Sequence, residues 1–186
     1  MTTNPHILAV CTGNVCRSPA IERLLGCYLS QTCRIGSAGT GAVVGAPIDG
    51  PMAAQLRHRN VSTSKFAARQ ITPGLIDDAD LILTATREHR STVVAMQPLA
   101  MRRTFTLTEF AHSAAQADLT TVTPLPFAER LAWLTDYVYQ SRPRMHLSGA
   151  EMDIPDPFRK SDEVFQVVFD LISTAVSTIV HQLTAK

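Results

Sequence analysis

The sequence predicts an α/β fold, one domain with a central four-stranded parallel sheet flanked by helices. Three observations predict it. Short apolar runs alternate with helix-period segments, the pattern of strands joined by crossover helices. The chain has 186 residues and is 45% apolar, enough for a full core in one domain. The first apolar run, His6-Ile7-Leu8-Ala9-Val10, feeds a tight loop and then Ser18-Pro19, a favourable helix start.

The elements follow in order. Strand one is Ile7 to Val10. Helix one follows Ser18, with Ile21, Leu24, Leu25 and Tyr28 on one face. Strand two runs from about Cys33 to Ser37 and leads into a Gly-rich loop, Gly39 to Gly45. Pro47 and Pro51 punctuate the entry to a second helix ending near Asn60. Asp77-Asp78-Ala79-Asp80 precedes strand three, Leu81 to Ala85. A helix from about Glu88 to Met96 stops at Pro98, and Arg103 to Thr106 reads as strand four. The last helix carries a continuous apolar stripe, Phe165, Val168, Phe169, Ile172, Val176, Ile179, Val180 and Leu183. Ser161 is its expected N-cap, and Asp162 and Glu163 suit its dipole.

Residues 111–151 break the alternation. A loop is expected over 120–126, then a helix with Phe127, Leu131, Leu134 and Val138 on one face, broadened by Trp133 and Tyr137. This reads as an extra helical insert covering the sheet edge within a domain spanning 1–186. There are no internal repeats and no low-complexity segment.

Charge narrows the function. The 17 basic and 16 acidic residues nearly cancel, and no like-charge run suggests a nucleic-acid or membrane footprint. The N-terminus is polar, with no signal-peptide pattern, and no stretch approaches the roughly 20 apolar residues of a membrane span. The expected compartment is the cytoplasm. The four cysteines, Cys11, Cys16, Cys27 and Cys33, crowd the N-terminal end. Their spacing matches no common zinc pattern and no paired His lies nearby, and a disulfide framework would spread them.

The chemistry sits in Cys11-Thr12-Gly13-Asn14-Val15-Cys16-Arg17-Ser18-Pro19. A strand, a tight loop and a helix N-terminus together converge N–H groups on one anion. A thiol and a guanidinium five residues apart there suit covalent chemistry on a phosphate-like group. Helix amides, Arg17 and the Ser18 hydroxyl favour a thiolate at Cys11. Loop N–H groups and a bidentate Arg17 serve the equatorial oxygens. A nucleotide P-loop needs a second Gly and a Lys, which this loop lacks. The reaction also needs a general acid, and Asp156 in Asp153-Ile154-Pro155-Asp156-Pro157-Phe158 is the best candidate, bracketed by two prolines. On composition alone, a plain turn before the last helix accounts for that segment equally well.

The Cys11–Pro19 segment closely resembles the active-site loop of the low-molecular-weight protein tyrosine phosphatases. Three further segments match in order: Ser37-Ala38-Gly39-Thr40-Gly41-Ala42, Ala68-Arg69-Gln70-Ile71 and Asp156-Pro157-Phe158. The resemblance spans nearly the whole chain, less 111–151. It implies a four-stranded parallel sheet with the loop at the end of strand one, and metal-independent phosphotyrosine hydrolysis through a cysteinyl-phosphate. Carried over by position, Cys11 is the nucleophile, Arg17 the phosphoryl clamp and Asp156 the acid and then the base. Thr12, Gly13, Asn14, Val15, Cys16, Ser18 and Ser37 bind phosphate or support the loop. Cys16 is also the expected redox partner of Cys11 under peroxide. No cofactor and no metal are implied. The implied partners are a phosphotyrosine protein, with a bacterial tyrosine kinase as one candidate, and phosphate or other oxyanions as inhibitors.

Four positions depart from the family pattern. Phe66 stands where many members place a His of the loop network, and Thr86 where an Asp usually follows strand three. Val43 stands where some members have an aromatic pocket residue, and Arg159 follows Phe158 where some have a second Tyr. The expected pocket walls are thus Val43 and Phe158, with Val15 and Thr12 at floor or rim, and the segment ending at Glu151 is expected to shape one wall. Two rivals share the same cradle: a thiol-dependent arsenate reductase, whose thioredoxin-coupled form is closed because no cysteine lies beyond Cys33, and a phosphate- or redox-sensing protein without turnover.

Overall fold

The computed structural model describes residues 4–118, 120 and 123–185. Met1, Thr2 and Thr3 of the polar N-terminus, and Thr121 and Val122 of the loop expected at 120–126, lie outside the described residues. The elements run β1 (His6–Cys11), α1 (Arg17–Leu29), β2 (Arg34–Gly39), α2 (Gly50–His58), α3 (Pro73–Asp77), β3 (Leu81–Thr84), α4 (Arg87–Met96), β4 (Thr104–Thr106), α5 (Leu107–Ala114), α6 (Phe127–Ser141), α7 (Gly149–Met152) and α8 (Asp162–Thr184). Short 3-10 turns cover Pro98–Arg103 and Arg142–Arg144.

The sheet is parallel in the order β2-β1-β3-β4. All six residues of β1 are buried, because helices cover both faces. Ile7, Ala9, Leu81 and Leu83 face the larger core, with α1, α2, α5, α6 and α8. Leu8, Val10 and Ile82 face a smaller core with Ile71, Ile76, Val93 and Ala100. The chain runs from β1 to β2 on one side and then crosses back to β3 on the other, so a crevice opens at the carboxyl end of β1. Cys11 ends β1 there, in register with Gly39 of β2, and Val10 is in register with Thr84 of β3.

Three helices escaped the sequence reading, the four-residue α7 among them. The five-residue α3 is capped by Thr72 with Pro73 at its first position. Helix α5 follows β4 without a turn, starting in a capping box between Thr106 and Glu109. Its buried Glu109 carboxylate is neutralised by Arg90 at 2.8 Å and Arg142 at 2.7 Å, joining α4, α5 and the turn after α6. Within α6, Trp133 and Tyr137 stack at 5.4 Å. Ser161 caps α8 by position, without a side-chain cap bond. Contrary to expectation, α8 is long and apolar enough to cross a membrane by length and composition. Its stripe from Phe165 to Leu183 is packed into the larger core.

Candidate active site

The loop between β1 and α1 is held by its outward-facing carbonyls. Those of Cys11, Thr12, Gly13, Val15 and Cys16 accept from the N–H groups of Thr40, Gly41, Val43, Asp49 and Ala20, at 2.9 to 3.2 Å. The C=O and N–H of a trans peptide point opposite ways. Tying the carbonyls outward therefore turns loop N–H groups toward the concave side, next to the α1 N-terminus. Gly39 makes this packing possible: a Cβ there would stand 2.3 Å from the Thr12 carbonyl oxygen.

Asn14 is the keystone of the loop. Its φ of 54° lies in the left-handed region, which Asn tolerates better than most residues. Its buried Nδ2 donates to Ser18 Oγ at 2.9 Å and Ser37 Oγ at 2.8 Å, and its Oδ1 accepts from the Arg69 N–H at 2.9 Å. The Ser37 hydroxyl in turn donates a hydrogen bond to Glu22 Oε2 at 2.5 Å. The Asn14 donor occupies one side of the Ser18 oxygen, and the Ser18 hydroxyl lies 2.9 Å from Cys11 Sγ and 3.4 Å from the Ala38 carbonyl, the two partners open to it. The network thus closes through Glu22 and the Arg69 backbone, while Phe66 packs against the core under the Arg23 guanidinium at 5.6 Å. Glu22 was missed in sequence, although it lies four residues after Ser18 on the same helix face.

Arg17 opens α1 almost completely buried, 4% exposed. Its Nη2 meets Asp156 Oδ2 at 2.8 Å and its Nη1 donates to the Ile154 carbonyl at 3.2 Å. Its Nε is buried without a hydrogen-bond partner, a costly state unless an acceptor comes to it. Asp156 is exposed, and its Oδ1 accepts from the Phe158 N–H at 3.2 Å. Cys11, Thr12, Gly13, Val15, Cys16, Arg17, Val43, Asp156 and Phe158 enclose one cavity of about 180 Å³. Asn14, Ser18 and Ser37 stand behind it. No described residue of 111–151 lines this cavity, which corrects the expectation of a wall there: the segment ends behind the site, at α7, whose Gly149 packs on the Arg87 side chain that holds Asp153.

Burial first, then the nearby Asp49 carboxylate, pushes Cys16 well above the ordinary thiol range. Cys33 is pushed up to about 11 by burial alone, and Cys27 is exposed. Thr86, at the position where an Asp was expected, caps α4 and bonds to His89 Nδ1 at 2.6 Å. His89 Nε2 continues to Thr12 Oγ1 at 2.8 Å. Nothing in the local sequence around His89 signalled this contact.

A family model for the low molecular weight phosphotyrosine protein phosphatases matches residues 6–130. The chain belongs to that family. The matched stretch contains the phosphate loop and ends before Asp156. Among curated relatives, the low molecular weight protein-tyrosine-phosphatase Wzb of Escherichia coli K12 is 32% identical over 181 residues, covering 97% of both chains. Among solved structures, Wzb of Vibrio vulnificus in complex with benzylphosphonate superposes with a TM-score of 0.69 at 25% identity, covering 95% of this chain and 97% of that one. The YwlE arginine phosphatase of Geobacillus stearothermophilus superposes at 0.72 with 26% identity, covering 96% and 92%.

Proposed function

We propose that the protein hydrolyses phosphotyrosine in proteins through a cysteinyl-phosphate, without metal. The observation that carries this reading is the cavity that joins the Cys11 thiol, the Arg17 guanidinium and the Asp156 carboxylate under the carbon walls of Val15, Val43 and Phe158. The Cys11 thiolate attacks phosphorus, forming S–P as the P–O bond to the phenol breaks. Asp156, entering protonated, gives its proton to the leaving oxygen. Water then attacks phosphorus, loses its proton to the Asp156 carboxylate and expels the Cys11 thiolate with inorganic phosphate. The α1 N-terminus, loop N–H groups and Arg17 stabilise the equatorial oxygens. A phosphate dianion on Arg17 competes with Asp156 for the guanidinium, which frees the carboxyl to face the leaving group. Ser18, oriented by Asn14, donates to the departing thiolate in the second step.

The walls bear on the choice between aryl and guanidino phosphates. A phosphoarginine brings a planar cation whose N–H groups want acceptors, and Val15, Val43 and Phe158 present carbon. A phenyl ring fits them. A phosphoserine phosphate lies too near its own backbone to reach Cys11 at the floor. Inorganic phosphate and similar oxyanions are expected inhibitors. The natural substrate we propose is a tyrosine-phosphorylated protein of the cytoplasm, a bacterial tyrosine kinase being the first to test. Under peroxide, the Cys11 sulfenic acid condenses with the Cys16 thiol to a disulfide and water.

The test is hydrolysis of matched phosphotyrosine, phosphoserine and phosphoarginine peptides, and of the kinase, in the presence of a chelator. We expect phosphotyrosine to exceed the other two in kcat/KM by about 100-fold or more. Preference for phosphoarginine, or thiol-dependent arsenate reduction without ester hydrolysis, would overturn the reading. Unchanged phosphotyrosine on the kinase would remove only that substrate. A mass shift to a Cys11–Cys16 disulfide on peroxide treatment, absent in Cys16→Ser, checks the redox step.

A further inference from the structure

Helix α4 begins where β3 ends, and its first turn touches both loops of the cavity. Arg87, its first residue, holds Asp153: the backbone N–H donates to Asp153 Oδ1 at 2.7 Å, and the guanidinium Nη2 to Oδ2 at 3.0 Å. Gly149 of α7 gives the guanidinium its seat, since a Cβ there would stand 2.5 Å from it. Asp153 lies three residues before Asp156. Between them, the Ile154 N–H donates to the Ala85 carbonyl at 2.9 Å, and the Ile154 carbonyl accepts from Arg17. His89 faces the other way. It is buried, with Nε2 on Thr12 of the phosphate loop and Nδ1 on Thr86, the α4 cap.

We propose that the first turn of α4 is a bracket that fixes the acid loop relative to the phosphate loop, with Arg87 and His89 as its two positioning arms. Neither side chain lines the cavity, so neither is a catalytic residue. The inference rests on Asp156 as proton donor. Proton transfer is steep in distance and angle, so a small displacement of Asp156 weakens it without emptying the phosphate site. The Arg87–Asp153 pair is 47% and 31% exposed, a setting in which an ion pair adds little to stability. A stabilising role alone would therefore register weakly, whereas a positioning role has its own kinetic signature.

That signature is sensitivity to the leaving group. The experiment measures kcat/KM for aryl phosphates whose phenols range from strongly acidic to as basic as tyrosine, in the full chain and in Arg87→Ala, Asp153→Asn and His89→Leu. Each variant is expected to stay near wild type on the most acidic phenol and to lose about tenfold on the most basic. Inhibition by inorganic phosphate should change less than about twofold in Arg87→Ala. His89→Gln, able to keep one hydroxyl contact, should fall between wild type and His89→Leu and stands in if the latter misfolds. In an Asp156→Asn background, Arg87→Ala should add less than about twofold. An equal loss across the whole series, no loss, or an undiminished Arg87→Ala effect in Asp156→Asn would overturn the bracket. Absence of aryl phosphate hydrolysis by the unmodified chain would instead sink the proposed function.

Discussion

From Cys11 to Ser18, six of eight residues are buried; from Asp153 to Phe158, two of six are. The first loop has its carbonyls bound from outside and its keystone, Asn14, bonded on both sides of its amide. The second is tied at Asp153 and Ile154, and past them, among the described residues, Asp156 bonds only to Arg17 and its own turn. The difference follows from the work each would do. Stabilising an oxyanion needs donors already in place, so that no reorganisation is needed during reaction. A group that gives a proton and later takes one from water must release Arg17 and turn toward two different oxygens.

Substitutions in the two loops should break this comparison in different ways. The largest effect belongs to Cys11→Ser, expected to lower phosphotyrosine hydrolysis by at least about 10³-fold, read by steady-state assay. Asp156→Asn comes next, with kcat/KM on basic phenols down about 10²-fold or more and a melting temperature within a few degrees of wild type, since the side chain is exposed. Asn14→Ala should reverse that balance. It strips three hydrogen bonds, two of them fully buried, and leaves a non-Asn residue at positive φ, so denaturant unfolding should show a loss of about 2–4 kcal/mol. Activity should fall along with it.

The smallest effect is a pH dependence. Burial, and then the Arg17 charge, hold His89 below its ordinary value of 6.5, against the opposing pull of Glu88, Asp156 and Asp153. The folded state therefore binds this proton less readily than the unfolded chain. The His89 contribution is complete above about pH 6.5 and is lost as pH falls from there through the folded pKa. In His89→Gln, the unfolding free energy should fall less steeply between about pH 6.5 and 5 than in the unmodified chain. Identical slopes would show that His89 does not titrate between the two states.

The two loops also differ in how they can be read from sequence. Cys11, Arg17 and Ser18 lie within eight residues, and their spacing alone encloses an anion. Asp156 is marked by two prolines, yet a plain turn fits the same residues, and only the structure sets its carboxylate on Arg17. The pairs behind the site leave no local trace: His89 and Thr12 are 77 residues apart, and Arg87 and Asp153 are 66 apart. Phe66 and Thr86 signalled a rewired scaffold without saying where the new bonds go, which proved to be Glu22 and His89. Helix α5 was hidden because it abuts β4 with no breaker, although Thr106 and Glu109 spell a capping box. The apolar periods of α1, α6 and α8 needed no such help.

In the proposed reaction Cys11 carries the phosphoryl group. Rapid mixing with an aryl phosphate, followed by an alkaline denaturing quench and peptide mass spectrometry, tests it directly. One phosphoryl group is expected on the peptide bearing Cys11, forming as fast as the first phenol is released and missing in Cys11→Ser. Turnover with no phosphoryl group on Cys11, or undiminished turnover by Cys11→Ser, would contradict it.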